Sequence, residues 1–557
     1  MATKPKGILE HTEQLRPPIV RGEGLTTSER YLARLGEKSF LNLWSYPNTF
    51  RDQMDHPGAS QGKELCDLLV VCGPHIVIFS EKTIAWQSDK LTPVAWSRWF
   101  RSAVADSVKQ IRGAERWIMQ HPNRIFLDAA CKSPLPIALP SPTERIIHRV
   151  VIAQGVAEAC RRHFGRGSGS IHIRPDIKGA AHFDTNSAHV IEPFCVGDVD
   201  PQGPFVHVLD ETSLDIAMRE LDTITDFTAY LQKKEAFIRA GRLAKVEGEE
   251  NLIAYYAVRI NEEGDHDFTH PSGGAWPLGE AITIDNGLYS DFASDPQYIA
   301  KKQSEQNSYV WDRLIELFTN PLLDGTSLVP EGQAFSLQKS EFGVRQMALV
   351  SRFLRRSHGN AVLGAFEEGR KTDRFFRMMM DRGKKPGSEV GFFILILNYL
   401  DWMEVDGYDD FRRKRAYLAE IYARAILAKY SALRHVVGIA MEAPGRGKGG
   451  AEEMVYGEQK EWSDEVRAEL AGECERLGIF SSGMKETPIS EAEYPVVDVL
   501  HLVSPAGERV SLLADDPRLK GAELVLNEFS PGTSLNRAQR RRAKAKARAA
   551  GKKKQGA

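Results

Sequence analysis

Cysteine is scarce and scattered in this 557-residue chain. The six cysteines, Cys66, Cys72, Cys131, Cys160, Cys195 and Cys474, show no CxxC spacing and no neighbouring histidine cluster, which argues against a structural zinc or a disulfide framework. Long apolar stretches are missing as well. The run Phe392 to Leu397 is six residues, whereas a bilayer-crossing helix needs about 20, so no membrane span is expected. The first residues, MATKPKGILEHTEQLRPP, combine basic groups with no apolar core and no small-residue cleavage site. They do not read as a secretory signal, and a reducing cytosol is the expected location. Hydrophobic residues at 42% and charged residues at 27% are an ordinary globular balance, which excludes a mostly disordered or collagen-like chain.

Charge is balanced in total but not in place. The net charge is −2, yet residues 537–557 contain ten Lys/Arg and no acid, leaving 63 basic against 75 acidic residues in 1–536. A body of −12 therefore carries a +10 tail. Such a tail, including Arg540, Arg541 and Arg542, can neutralise phosphates with release of counterions; the plainer reading is a solvated terminus.

The chain length suggests several domains. Residues 1–24 read as a disordered N-terminus. Thr26 and Glu29 have capping-box spacing before Tyr31, Leu32, Leu35, Leu41, Leu43 and Trp44, and Pro47 is expected to end that segment. Leu65 to Cys72 and His75 to Lys82 read as adjacent strands joined at Gly73 and Pro74. Thr92 before Pro93 predicts the N-cap of a helix running to about Met119. Ile146 to Ala153, Ser170 to Ile173 and Phe205 to Leu209 read as strands, followed by helices capped at Asp210 or Thr212 and at Thr225. This order argues an α/β or α+β core over 25–240. Residues 241–290 read as a connecting segment and 291–442 as a mainly helical domain, with Val310 to Phe318, Val344 to Leu354, Phe375 to Met380, Phe392 to Met403 and Phe411 to Arg434 taken as helical. A Gly/Lys-rich stretch at 443–453 opens a small α+β unit, 443–535, with strand-like runs at Val496 to Val503, Val510 to Leu513 and Glu523 to Leu526; the basic tail follows from 536.

Chemistry concentrates near the N-terminus. A helix carries Glu37, a strand carries Asp67 near its start, the neighbouring strand ends in Ser80-Glu81-Lys82, and the helix after it contains Gln110. Arg101, Lys109, Arg112 and Arg116 fall on one face of that last helix by spacing, a basic stripe that suits a nucleic-acid backbone or simply solvent. In this order the residues resemble the PD-(D/E)xK nuclease superfamily, over roughly residues 28–155 within an expected nuclease-like domain of 25–240. The resemblance implies a restriction-endonuclease-like α/β domain, a mixed sheet flanked by helices, that hydrolyses nucleic-acid phosphodiesters with Mg²⁺ or Mn²⁺. DNA is the expected substrate, and defence against foreign DNA a natural setting by analogy.

On that resemblance Asp67 is the principal metal ligand, Glu37 a second, and Lys82 polarises the attacking water. Gln110 and Lys109 match positions near the scissile phosphate. Strand alternation sends Ile76, Ile78, Ser80 and Lys82 one way and Val77, Phe79 and Glu81 the other. Ser80 therefore stands where the superfamily places an acid. Three outcomes follow: Ser80 and the Glu81 carbonyl substitute with charge from Glu37, a bulge brings the Glu81 carboxylate in as a ligand, or catalysis is lost and a nucleic-acid-binding scaffold remains. The helical C-terminal part is the expected place for substrate recognition, a homo-oligomer contact or a protein partner.

Weaker signals are set aside. His163, His172, His182, His189 and His207 lack HxxxH or HExxH spacing and read as scattered core or polar residues. Trp44, Trp86, Trp96 and Trp99 read as packing residues. GRGKGG at 445–450 lacks the GxxxxGK[ST] pattern and reads as a linker.

Overall fold

The computed structural model describes residues 16–53, 62–185, 190–327, 334–380, 389–405, 407–449, 452–481, 483–488, 491–496, 499–503 and 509–513. Arg540, Arg541, Arg542, His189 and the run Glu523 to Leu526 lie outside them.

The chain opens with α1 (Thr27–Phe40), β1 (Ser45–Arg51), β2 (Lys63–Cys72) and β3 (His75–Thr83). Thr26 caps α1, its hydroxyl accepting from the Glu29 N–H at 3.1 Å. Strand β1 was not visible in the sequence because Pro47 reads as a stop. Pro47 pairs with Leu68 on the stretch of β1 that its other neighbour does not reach, so its missing N–H costs no ladder bond. Two helices, α2 (Thr92–Phe100) and α3 (Asp106–Gln120), are joined without a break by a π-helical turn, Arg101–Ala105. Leu91, not Thr92, occupies the cap position.

Next come β4 (Ile125–Phe126), β5 (Ile146–Gln154), α4 (Ala157–Phe164), β6 (His172–Lys178), β7 (Cys195–Asp198), β8 (His207–Leu209), α5 (Glu211–Glu220) and α6 (Ile224–Arg239). Asp210 caps α5 as expected, and Thr223 rather than Thr225 caps α6. The first sheet has the order β4-β1-β2-β3-β5-β8. Strand β2 is antiparallel to both β1 and β3, whereas β5 is parallel to β3 and β8 parallel to β5. Phe40 of α1 and Phe227 of α6 pack on Phe79 from one face, with ring centroids 6.1 and 6.0 Å away. Helix α3 covers the other face with Val108, Ile111 and Ile118. Each buried aliphatic side chain there contributes about 1.5–3 kcal/mol, which is what holds both helix layers on the sheet.

Residues 241–290 are more than a connector. Strand β9 (Leu243–Val246), α7 (Glu249–Ala257) and β10 (Ile282–Ile284) complete a second sheet of order β10-β9-β6-β7. Helices α8 (Leu288–Ser294), α9 (Pro296–Ser304), α10 (Tyr309–Leu323), α11 (Leu337–Ala348) and α12 (Arg352–Gly369) follow.

The region read as mainly helical then departs from expectation. Arg374–Met380 and Val390–Leu397 are strands β11 and β12, and α13 (Tyr408–Lys429) connects to β13 (His435–Met441) and β14 (Glu453–Glu458). The third sheet, β11-β12-β13-β14, is mixed, and it crosses the boundary expected at 443 because β14 pairs with β13. Phe392 to Leu397 is buried on both faces, a pattern that periodicity alone does not distinguish from a buried helix. Helix α14 (Asp464–Arg476) and the hairpin β15 (Val499–Val503) with β16 (Arg509–Leu513) end the described elements. The architecture is mixed α/β, several mixed sheets flanked by helices. No described helix is long and apolar enough to cross a membrane.

Candidate active site

Strands β2 and β3 part company at Leu68 and Phe79. Their pairing stops there although both continue, β2 beside β1 and β3 beside β5. A fork leaves backbone groups without ladder partners, and each buried one left unmet costs about 1–3 kcal/mol. Asp67 supplies the remedy: its Oδ2 accepts the Glu81 N–H at 2.5 Å, replacing the lost β2 carbonyl. The alternation of the sheet would keep Asp67 and Glu81 apart in a closed hairpin; the fork brings them together.

Further acceptors and donors gather at this point. Asn48 Nδ2 donates to Glu29 Oε2 at 2.8 Å and to Glu64 Oε1 at 2.9 Å. The Glu81 carboxylate accepts from Ser28 at 2.9 Å, Thr83 at 2.7 Å and Gln154 at 3.1 Å. Glu29, Glu64, Ser28 and Lys82 are half-buried, while Asp67 and Glu81 are buried.

The electrostatics of the cluster are one-sided. Burial, with Glu64, Glu29 and Glu81 nearby, pushes the Asp67 carboxyl up to about 7 against the opposing Glu81 N–H. Burial also raises Glu81, despite its three donors. Among the described residues none of these four carboxylates has a Lys, Arg or His ion-pair partner, and Lys82 has no side-chain hydrogen bond or ion pair. The Asn48 Oδ1 atom is buried without a partner in the same cluster. Carboxylates and an amide oxygen are the hard donors that a Mg²⁺-type cation takes, usually only one or two carboxylates with water filling the rest. The donor set fits such a cation. Among the described residues there is, however, no ready-made group of three or more His, Cys, Asp or Glu side chains set to hold a metal.

The residues singled out in the sequence separate here. Asp67 and the Glu81 N–H meet at the fork; Lys82 is the next residue of β3, and among the described residues no hydrogen bond or ion pair brings its amine to either carboxylate. Ser80 is fully buried, and its hydroxyl donates to Gln110 Oε1 at 3.1 Å. That bond ties β3 to α3 and turns the serine oxygen away from a ligand's role. Glu37 does not join the site. Its carboxylate pairs with Arg21 at 2.8 Å, and it lies eight residues beyond Glu29, about 12 Å along the helix axis. The helix acid at the fork is Glu29, whose capping-box position gave it a structural explanation in the sequence and hid it. Glu64, three residues before Asp67, carried no signal beyond its sign.

The basic stripe is also broken. A π turn holds one extra residue, so Arg101 is rotated by roughly 100° from the line of Lys109, Arg112 and Arg116. Arg101 instead donates to the Phe183 carbonyl at 3.3 Å, Lys109 pairs with Asp106 at 2.9 Å, and Arg112 pairs with Asp200. All four remain exposed. The tryptophans behave as packing residues: Trp44, Trp96 and Trp99 are buried, and Trp86 packs against Phe194. His182 is buried, pushed down to about 4, and hydrogen-bonded to the Gly197 N–H. The GRGKGG loop folds over Glu442, whose Oε2 accepts the Gly449 N–H at 2.9 Å.

Comparison of the chain with protein-family models, with curated proteins and with solved structures gives no match.

Proposed function

We propose that the chain is a divalent-metal-dependent nuclease of the PD-(D/E)xK type, acting on nucleic-acid phosphodiesters, with DNA as the first substrate to test. The observation that carries this reading is the β2/β3 fork, which sets Asp67 against the Glu81 N–H beside two more acids, with Lys82 next along β3 and, among the described residues, in no side-chain hydrogen bond or ion pair. The order helix acid, strand acid, lysine at the end of the adjacent strand, then a helix with glutamine agrees with the superfamily, once Glu29 replaces Glu37 as the helix acid. On this reading residues 28–155 form a restriction-endonuclease-like domain.

Asp67 and Glu81 would hold the cation, with Glu29 and Glu64 completing the negative field. The cation, Mg²⁺ or Mn²⁺, would supply a polarised phosphate oxygen and a more acidic bound water. Lys82 would orient a water and balance charge building on the phosphate oxygens. Gln110 acts through Ser80, fixing the end of β3 and therefore the direction of Lys82. The rims of α1 and β2 are where the substrate backbone would approach.

One observation favours a second reading, a nucleic-acid-binding scaffold with a lapsed site: Ser80 gives no ligand at the position two before the lysine, and its hydroxyl is committed to Gln110. Incubating supercoiled and linear DNA with the protein and Mg²⁺ or Mn²⁺ separates the two. Cleavage that falls by about 10²-fold or more in both Asp67→Asn and Lys82→Ala supports the enzyme. Binding without cleavage of DNA or RNA under either metal supports the scaffold.

A further inference from the structure

After α14 the chain returns to elements more than 130 residues earlier in the sequence. Residues 491–494, Glu-Ala-Glu-Tyr, lie in a groove built by α9, α12 and the turns around Ala257 and His266. The base of the groove is Arg356, only 3% exposed. Its guanidinium donates to the carbonyls of Ala492 at 2.7 Å and Glu493 at 2.9 Å and, through Nε, to the Glu491 carboxylate at 3.4 Å, so it reads main chain and one side chain. Side-chain selectivity comes from either end. Glu491 accepts from Ser357 at 3.1 Å, and Glu493 accepts from His266 at 2.7 Å with Lys301 at 3.5 Å. Tyr494 packs beside Phe292, ring centroids 6.5 Å apart, and its hydroxyl donates to the Ala257 carbonyl at 3.1 Å.

A buried guanidinium must keep its donors satisfied. With the segment withdrawn, the described residues leave Arg356 one side-chain acceptor, Ser304 at 2.9 Å, and leave His266 without the Glu493 charge, while Lys301 keeps its ion pair with Glu305. The groove therefore demands an occupant of the same chemistry: two acids spaced by one residue, followed by an aromatic ring. We propose that this groove is a receptor for an acidic-aromatic peptide, filled in cis by residues 491–494, which latch this stretch of the chain onto α9, α12 and the turns around Ala257 and His266. The proposal stands apart from the fork and from the nuclease reading.

The test uses the full chain. A triple variant, Glu491→Ser with Glu493→Gln and Tyr494→Ala, should free the groove. A fluorescent peptide of residues 487–498 should then bind the triple variant and not the wild type, whose groove is filled. Adding Arg356→Ala to the triple variant should abolish that binding. In wild type the amides of 491–496 should exchange with solvent at least about tenfold more slowly than in the triple variant. Thermal melting checks that each variant is folded, and the exchange measurement needs no peptide and no groove substitution. A folded triple variant that ignores the peptide, a wild type that binds it equally well, or equal exchange in both proteins would each overturn the latch.

Discussion

The first and third sheets contain the same local plan and use it differently. In both, an antiparallel hairpin is followed by a helix that crosses over to a parallel strand: β2, β3, α3 and β5 in one, β11, β12, α13 and β13 in the other. The third-sheet hairpin pairs from Arg374 and Leu397 through to Met380 and Gly391, and β12 is bonded to β13 along the same length. Neither of its strands contains an acid. The first-sheet hairpin opens at Leu68 and Phe79, and the acid that fills the opening is Asp67. A closed hairpin saturates its own backbone and has nothing to offer a ligand. The fork, rather than the topology, is what turns a packing motif into a candidate site.

The comparison breaks most sharply at Asp67. Asp67→Asn should remove cleavage while making the metal-free protein more stable at pH 8, on the order of 2 kcal/mol, because ionising a buried acid is costly. The sign follows from the raised Asp67 value of about 7 against an ordinary 3.8. Between about pH 4 and 7 the unfolded chain has already lost that proton and the folded one has not, so wild-type stability falls across the window and is level above it. Urea titrations at pH 4, 6 and 8 should show this slope in wild type and a smaller one in Asp67→Asn. In the closed sheet the expected effect is packing alone. A methyl group at Gly438 would run into the Phe393 ring, so Gly438→Ala should cost about 1–3 kcal/mol by urea unfolding with no specific change in metal dependence. The smallest effect is expected at Glu37. Glu37→Ala loses one half-exposed ion pair with Arg21, under about 1 kcal/mol, and should leave cleavage intact, whereas Glu29→Gln should weaken it.

Much of the first sheet was legible because its residues obey simple rules. The turn at Gly73 and Pro74 separates two apolar runs, and Thr26, Asp210 and Ile146 to Ala153 signal a cap, a cap and a strand. Asp67 was legible as a candidate through its residue type and strand position, and it lies at the fork, whereas Gln110 meets Ser80 and not the carboxylates. Glu29 was not legible, since a capping role explained it; Glu37 was taken in its place from helix position without knowledge of which turn meets the sheet. Strand β1 was hidden by Pro47, and the π turn, which moves Arg101 off the basic stripe, leaves no periodic signature. The third sheet was misread for a related reason: a strand buried on both faces has no alternation to show, as in Phe392 to Leu397. The 491–494 latch is a contact between segments more than 130 residues apart, beyond any local pattern.

The central claim is that the fork binds a hard divalent cation through Asp67. Titrating Mn²⁺ into the protein at pH 8 and following free Mn²⁺ by electron paramagnetic resonance tests it without reference to substrate. The account predicts Mn²⁺ uptake by wild type, competed by Mg²⁺ and lost in a folded Asp67→Asn variant. Equal uptake by both proteins, or none by either, would contradict it.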